Sequence, residues 1–136
     1  MAKVFLDTNV IVYANDARDL VKQKQAIDIV TVAIREATGV ISTQVLQEYA
    51  VAASKKLAQA EEAILRQLQS LESMEVVVVH PPLIRRALEV SGRYRISYWD
   101  ACILAAAEQA RCSVVLSEDL NAGQLYANTR VDNPFA

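Results

Sequence analysis

Four acidic residues stand where a folded chain seldom leaves a charge without a use for it. Asp7 follows directly on the apolar run Val4-Phe5-Leu6, and Asp119 follows Val114-Val115-Leu116 with Ser117 and Glu118 between. Glu48 interrupts an otherwise apolar helical pattern, in Ser42-Thr43-Gln44-Val45-Leu46-Gln47-Glu48-Tyr49. Asp100 lies in Ser97-Tyr98-Trp99-Asp100-Ala101, just ahead of Cys102-Ile103-Leu104-Ala105. Charges at such places are costly unless they are paired or bind a metal. Each has an ordinary explanation by itself. Asp7 is a good helix N-cap, Asp100 completes an S-x-x-D capping box with Ser97, Glu48 reaches solvent from a helix boundary, and Asp119 serves a turn. Those explanations are independent, so all four must coincide, two at strand ends and two at helix starts. One chemical explanation covers the set. Carboxylates with no His or Cys among them suit a hard divalent cation, Mg²⁺ or Mn²⁺. Such a site supports metal-assisted phosphoryl chemistry, with one or two ions activating water and stabilising the leaving oxygen. The residues thus point to a Mg²⁺/Mn²⁺ site acting on a phosphate ester, above all a phosphodiester.

The elements that must position these groups can be read from the apolar pattern. Four short runs rich in β-branched residues predict buried strands at Lys3–Leu6, Val40–Ile41, Met74–Val79 and Ser113–Leu116, with a weaker fifth around Thr129–Val131. They do not alternate, as expected of strands covered on both faces. Between them, Ile27, Val30, Ile34 and Ala37 mark a helix closing at Gly39 as its C-cap. Thr43–Lys56 is apolar almost all round and predicts a largely buried helix. Leu57, Ile64, Leu65, Leu68 and Leu71 mark another, and Leu83, Ile84, Ala87 and Leu88 one that ends at Gly92. Tyr98–Ala110 is the most apolar helix of all. Strands alternating with helices predict an α/β fold with a mainly parallel sheet. In such sheets ligands bind at the carboxyl ends of the strands, and parallel strands would deliver Asp7 and Asp119 to one edge.

Composition bounds the rest. The 136 residues suit one domain, 1–136, without repeat or linker. At 53% hydrophobic and 22% charged, with three Gly and three Pro, the chain is neither disordered nor low-complexity. Two Cys, ten residues apart, make no disulfide framework and read as small core residues in a reducing compartment. No apolar run approaches a membrane span and the N-terminus has no signal-like segment, so the expected location is cytoplasmic, with no membrane partner. The formal net charge is −2, from 14 basic and 16 acidic residues. That argues against bulk electrostatic capture of nucleic acid, though not against a nuclease built from carboxylates and metal.

At this point the motifs resemble a known family. Val4-Phe5-Leu6-Asp7-Thr8-Asn9-Val10 looks like the opening motif of PIN-domain nucleases. Glu48, Asp100 and Asp119 match the family's second, third and fourth acidic positions, with Ser117 in place of the usual Thr or Ser. At this length the chain is similar to the VapC-type toxins of toxin–antitoxin pairs. The resemblance implies a three-layer PIN-like fold with strand order 3-2-1-4-5. It implies a Mg²⁺- or Mn²⁺-dependent endoribonuclease that cleaves RNA by metal-activated water, a homodimer, and a small cognate antitoxin partner. Asp7, Glu48, Asp100 and Asp119 would be the catalytic metal ligands, with position favouring Asp119 over the adjacent Glu118.

Several other residues have expected roles. The hydroxyls of Thr8 and Ser117 orient carboxylates or position water, beside their ordinary uses as cap and turn groups. Asn9 bonds Asp7 or simply begins a helix. Arg93 and Arg95, just before the Asp100 helix, are the first candidates to hold the RNA backbone. Lys55 and Lys56 read as helix C-terminal charges, Arg85 and Arg86 as a solvated face, and His80 as structural. Trp99 offers a stacking surface for a base, but its place at a buried helix start favours core or dimer packing.

Other classes lack their marks. A phosphoacceptor receiver domain needs an Asp ending the third strand, where His80-Pro81 follows Val79. A haloacid-dehalogenase-like phosphatase needs a second Asp where Asn9 stands. The glycines at 39, 92 and 123 cannot form a dinucleotide-binding loop. An RNA-processing PIN nuclease outside a toxin–antitoxin pair, and a non-catalytic PIN-like binding domain, remain the alternatives.

Overall fold

The structure, a computed structural model, describes residues 2–136. Its centre is β1 (Val4–Leu6), which pairs in parallel with β2 (Gly39–Ser42) on one side and β4 (Val114–Leu116) on the other. β3 (Glu75–Val77) lies outside β2, and β6 (Thr129–Asp132) outside β4, both parallel. A further strand, β5 (Leu125–Tyr126), closes the edge antiparallel to β6. The order is therefore β3-β2-β1-β4-β6-β5. The expected order holds for five strands, and β5 adds a sixth that two residues of sequence do not announce. A short hairpin between them pairs Tyr126 with Thr129 and puts Tyr126 into the core.

Six helices flank the sheet: α1 (Thr8–Ala14), α2 (Leu20–Arg35), α3 (Thr43–Lys55), α4 (Glu61–Leu71), α5 (Pro81–Tyr94) and α6 (Tyr98–Gln109). The chain steps from β1 to β2 to β3, then returns through α5 and α6 to β4 beside β1. Right-handed crossovers send the helices before and after this reversal to opposite faces of the sheet. The topological switch point falls between β1 and β4. Each helix that follows a parallel strand starts at that strand's carboxyl edge, so α1 and α3 begin there. α6 begins there too, because its far end feeds the amino end of β4. No helix among the described residues is long and apolar enough to cross a membrane.

The core explains the apolar runs. Phe5, Leu6, Val40, Ile41, Val115 and Val131 are buried in the sheet. α6 buries seven successive residues, Ala101–Ala107, as its composition predicts. Cys102 and Cys112 are buried free thiols. α3 buries one face through Gln44, Val45, Tyr49 and Ala53 but exposes Gln47 and Val51, so it is amphipathic rather than enclosed. The third strand stops at Val77, short of the predicted Val79. There the Val79 N–H turns to Thr43 Oγ1, and His80 caps α5 by accepting from the Leu83 N–H through Nδ1. Pro81-Pro82 then fix the first turn of α5. Arg86 is not simply solvated: it makes a two-point bond with Glu108 at 2.8 and 2.9 Å, joining α5 to α6.

Two glycines have different reasons from those expected. α2 ends at Arg35 with Ala37 in the left-handed turn (φ 54°), and Gly39 opens β2. A Cβ on Gly39 would stand 2.7 Å from both Ala33 Cβ and Met74 Sδ, so close packing, not capping, demands glycine. Gly92 lies inside α5, which continues to Tyr94 and stops where Arg95 turns left-handed (φ 56°, ψ 49°). Nothing lies within 4 Å of a Cβ placed on Gly92. We therefore expect Gly39→Ala to lose about 1–3 kcal/mol by overpacking, and Gly92→Ala to gain about 0.5–1 kcal/mol through helix propensity. Urea unfolding of the two variants checks this; a destabilised Gly92→Ala or an unaffected Gly39→Ala would contradict it.

Candidate active site

Asp7 ends β1 and caps α1 in one step. Its backbone N–H donates to the Leu116 carbonyl at 3.0 Å, continuing the parallel ladder beyond the strand. With φ −71° and ψ 160° it leaves the sheet, and its Oδ1 accepts from the Thr8 N–H at 2.7 Å. Its Oδ2 accepts from Ser117 Oγ at 2.7 Å. The side chain is 6% exposed. Burial pushes its pKa up to about 6, and repulsion from Glu48 and Asp119 adds to the rise, against the lowering effect of the Ser117 and Thr8 bonds. No lysine or arginine is among the groups that hold it charged.

The other three carboxylates come from separate elements. Glu48, in α3, is held at both oxygens: Thr8 Oγ1 donates to Oε1 at 2.6 Å and Gln44 Nε2 to Oε2 at 3.2 Å. Asp119, after β4, accepts at Oδ2 from Asn9 Nδ2 at 3.2 Å. Asp100, in the first turn of α6, donates its N–H to Ser97 Oγ at 3.1 Å, the expected cap. Its pKa is raised by burial and then by the negative charges of Asp119 and Glu48. Asp7 and Asp100 thus each feel the negative charge of Glu48 and Asp119.

The neutral groups between them form a brace. The fully buried Ser117 hydroxyl donates to Asp7 and accepts from Asn9 Nδ2 and the Asp119 N–H. Asn9 Oδ1 accepts from the Glu118 N–H at 3.1 Å, so Asn9 ties α1 to the loop after β4 and does not bond Asp7. Glu118 has other partners. Lys22 Nζ lies 2.8 Å from its Oε2 and Tyr13 OH donates to its Oε1 at 2.8 Å. The Lys22 bond holds its pKa below the ordinary carboxylate value. Of the adjacent pair, Asp119 is the one that faces the carboxylates.

An open cleft of about 800 Å³ runs beside this cluster, bordered by Thr8, Asn9, Gln44, Glu48, Trp99 and Asp119. Its cations are Arg18, Lys55 and Lys56; Arg93 and Arg95 do not line it. Arg18 is already paired with Asp16 at 2.8 Å, which leaves Lys55 and Lys56 at the end of α3 as the exposed positive charges of the cleft. Trp99 is 65% exposed, not core, because it lies in the first turn of α6 before the buried face begins. Gln44 and the two lysines were missed as site residues. For Gln44 the signal was present: it stands one helical turn before Glu48, the spacing at which an amide meets a carboxylate.

The donor set suits a divalent cation. Every group is a carboxylate oxygen, and the two with raised pKa values, Asp7 and Asp100, are raised by burial and by the charges of Glu48 and Asp119, the state that a cation relieves. Among the described residues no three acidic, His or Cys side chains are drawn to metal-ligand spacing. Mg²⁺ does not require it, since it binds through one or two carboxylates and keeps several waters.

Comparison with known proteins agrees with this architecture. No curated protein matches the chain. Among solved structures, a toxin–antitoxin complex from Klebsiella pneumoniae superposes with a TM-score of 0.72 at 19% identity, covering 98% of each chain. DNA-bound VapBC from Salmonella typhimurium gives 0.70 at 18% identity, covering 98% of this chain and 99% of that one. VapC20 from Mycobacterium tuberculosis, described as a Sarcin-Ricin loop cleaving toxin, gives 0.69 at 17% identity, covering 94% and 99%. At these identities the likeness is one of fold. The PIN domain family model matches residues 4–127, nearly the whole chain, and takes in all four carboxylates. With the parallel sheet, the switch point between β1 and β4 and the acidic cluster beside it, that match shows that the chain belongs to the PIN domain family.

Proposed function

We propose that residues 1–136 form a single PIN domain that acts as a Mg²⁺- or Mn²⁺-dependent endoribonuclease, the toxin of a toxin–antitoxin pair. The observation that carries this reading is Asp7, a buried carboxylate pushed up to about 6, with Glu48 and Asp119 adding to the rise and no lysine or arginine among the groups that hold it charged. Asp7, Glu48, Asp100 and Asp119 would hold one or two ions. The bound metal would supply an activated water and neutralise charge on a phosphodiester.

The chain's own residues do the rest. Ser117 and Thr8 fix the direction of Asp7 and Glu48, so the oxygens are set before substrate arrives. Asn9 holds Asp119 at the cleft, while Lys22 pairs with Glu118 and takes up its charge. Lys55 and Lys56 would take the RNA phosphates. In-line attack would leave 5′-phosphate and 3′-hydroxyl ends. The structural neighbours named as toxin–antitoxin complexes support a small antitoxin as partner. We also propose a homodimer in the cytoplasm, where two free buried thiols are at home.

Three outcomes are expected. Asp7→Asn and Asp119→Asn abolish cleavage of total RNA and tRNA in Mg²⁺ or Mn²⁺ while circular dichroism stays native, and chelator abolishes wild-type cleavage. Wild-type turnover by either variant would remove the site assignment. Second, Lys55→Ala and Lys56→Ala each weaken RNA binding and lower its salt slope by about one charge, with metal affinity unchanged; filter binding across a salt series measures this.

The third concerns pH. The folded pKa of Asp7, about 6, stands above its unfolded value of 3.8, so the native state binds the proton more tightly. Its contribution is present at low pH and is lost as pH rises from about 4 to about 6. Relative to Asp7→Asn, metal-free wild type should lose on the order of 2–3 kcal/mol across that window. Mg²⁺ at pH 7.5 should restore stability to wild type and not to Asp7→Asn. Denaturant unfolding at a series of pH values tests it, and a flat difference between the two proteins would count against the buried charge.

A further inference from the structure

Gln44 lies in the first turn of α3, one turn ahead of Glu48, and is 5% exposed. Its Nε2 donates to Glu48 Oε2 and to the Trp99 carbonyl, both at 3.2 Å. Each proton of the amide nitrogen then has an acceptor. This fixes the amide's orientation, since turning it over would set Oε1 against two oxygens. The cost appears at the other atom. Gln44 Oε1 is buried without a hydrogen-bond partner, the one such side-chain atom among the described residues. An unpaired buried acceptor is destabilising, and a methionine or leucine would fill similar volume without it. A residue serving stability alone would not be a glutamine here.

Resting on the reading of the cleft as a cation site, we infer that Gln44 is a positioning residue for Glu48. Its amide ties the Glu48 carboxylate to the first turn of α6, the helix that carries Asp100, and so sets how these two carboxylates face each other. Thr8 holds Glu48 Oε1 from α1 at 2.6 Å. Glu48 is thereby gripped at both oxygens, and the two grips connect three elements of the site. Loss of the Gln44 grip returns rotamer freedom to a half-buried carboxylate, and ordering it again weakens metal binding. Partners that orient ligands are typically worth about 10–100-fold in metal affinity.

The test measures binding of Mn²⁺ alone by calorimetry, beside the melting temperature in chelator, for wild type, Gln44→Met, Glu48→Gln and the double variant. The expected result is Gln44→Met with a melting temperature unchanged or raised and Mn²⁺ affinity lowered at least about tenfold. In the Glu48→Gln background, Gln44→Met should cost no further affinity, because it acts through Glu48. Unchanged affinity in Gln44→Met overturns the inference and leaves the site reading intact. So does a lowered melting temperature accompanying the loss, which would make Gln44 structural, or an equal loss in the Glu48→Gln background. Absence of Mn²⁺ binding in wild type overturns the site reading itself.

Discussion

The structure depends on keeping Asp7 ionisable inside the protein. This carboxylate ends the central strand, caps the first helix and meets the Ser117 hydroxyl from the next strand, all within 6% exposure. Burial alone would drive it to the neutral form, and Glu48 and Asp119 push the same way. Two short hydrogen bonds offset part of this and leave it able to lose its proton near pH 6. The remaining arrangement follows from that compromise. Ser117 must be fully buried to reach Asp7, so the loop after β4 folds back over it. Asn9 must bridge that loop, and Thr8 must turn toward Glu48.

The same constraint reorders the chain's charge. A formal −2 suggests a protein that repels nucleic acid. Glu48 and Asp119 border the cleft and their charge reaches Asp7 and Asp100, and without these four carboxylates the remainder of the chain stands at +2. Lys55 and Lys56 put part of that excess beside the carboxylates. Glu118 is next to Asp119 in sequence and also borders the cleft, yet its charge is paired with Lys22, so neighbours in the chain need not share partners.

Much of this was legible in the sequence, and the exceptions are instructive. The central strands and α6 were readable because burial on both sides imposes an unbroken apolar run. The four carboxylates stand out in the sequence because they break or end such runs. β5 was not, because two residues carry no pattern and the hairpin is decided by its pairing with β6. Gly39 was misread as a helix stop because glycine marks both a left-handed turn and a close approach, and Gly92 because glycine is also tolerated inside a helix, as it is in α5. At Gly39 only packing against Ala33 and Met74 separates the turn from the close approach. The basic residues were harder still. Arg93 and Arg95 stand near Asp100 in the chain but outside the cleft, whereas Lys55 and Lys56 reach it because α3 points its last turn there. The place of Trp99 at a buried helix start favoured core or dimer packing, and its exposure removes the core reading, because the first turn of α6 lies outside the buried stretch.

The central claim is that the Asp7 carboxylate is a buried charge waiting for a cation. Carbon-13 NMR titration of the Asp7 carboxyl carbon, in chelator and then in saturating Mg²⁺, tests it directly. The account predicts a pKa near 6 in chelator, falling below about 4 with the metal bound. An ordinary aspartate pKa in chelator, or a value near 6 that Mg²⁺ leaves unmoved, would contradict it.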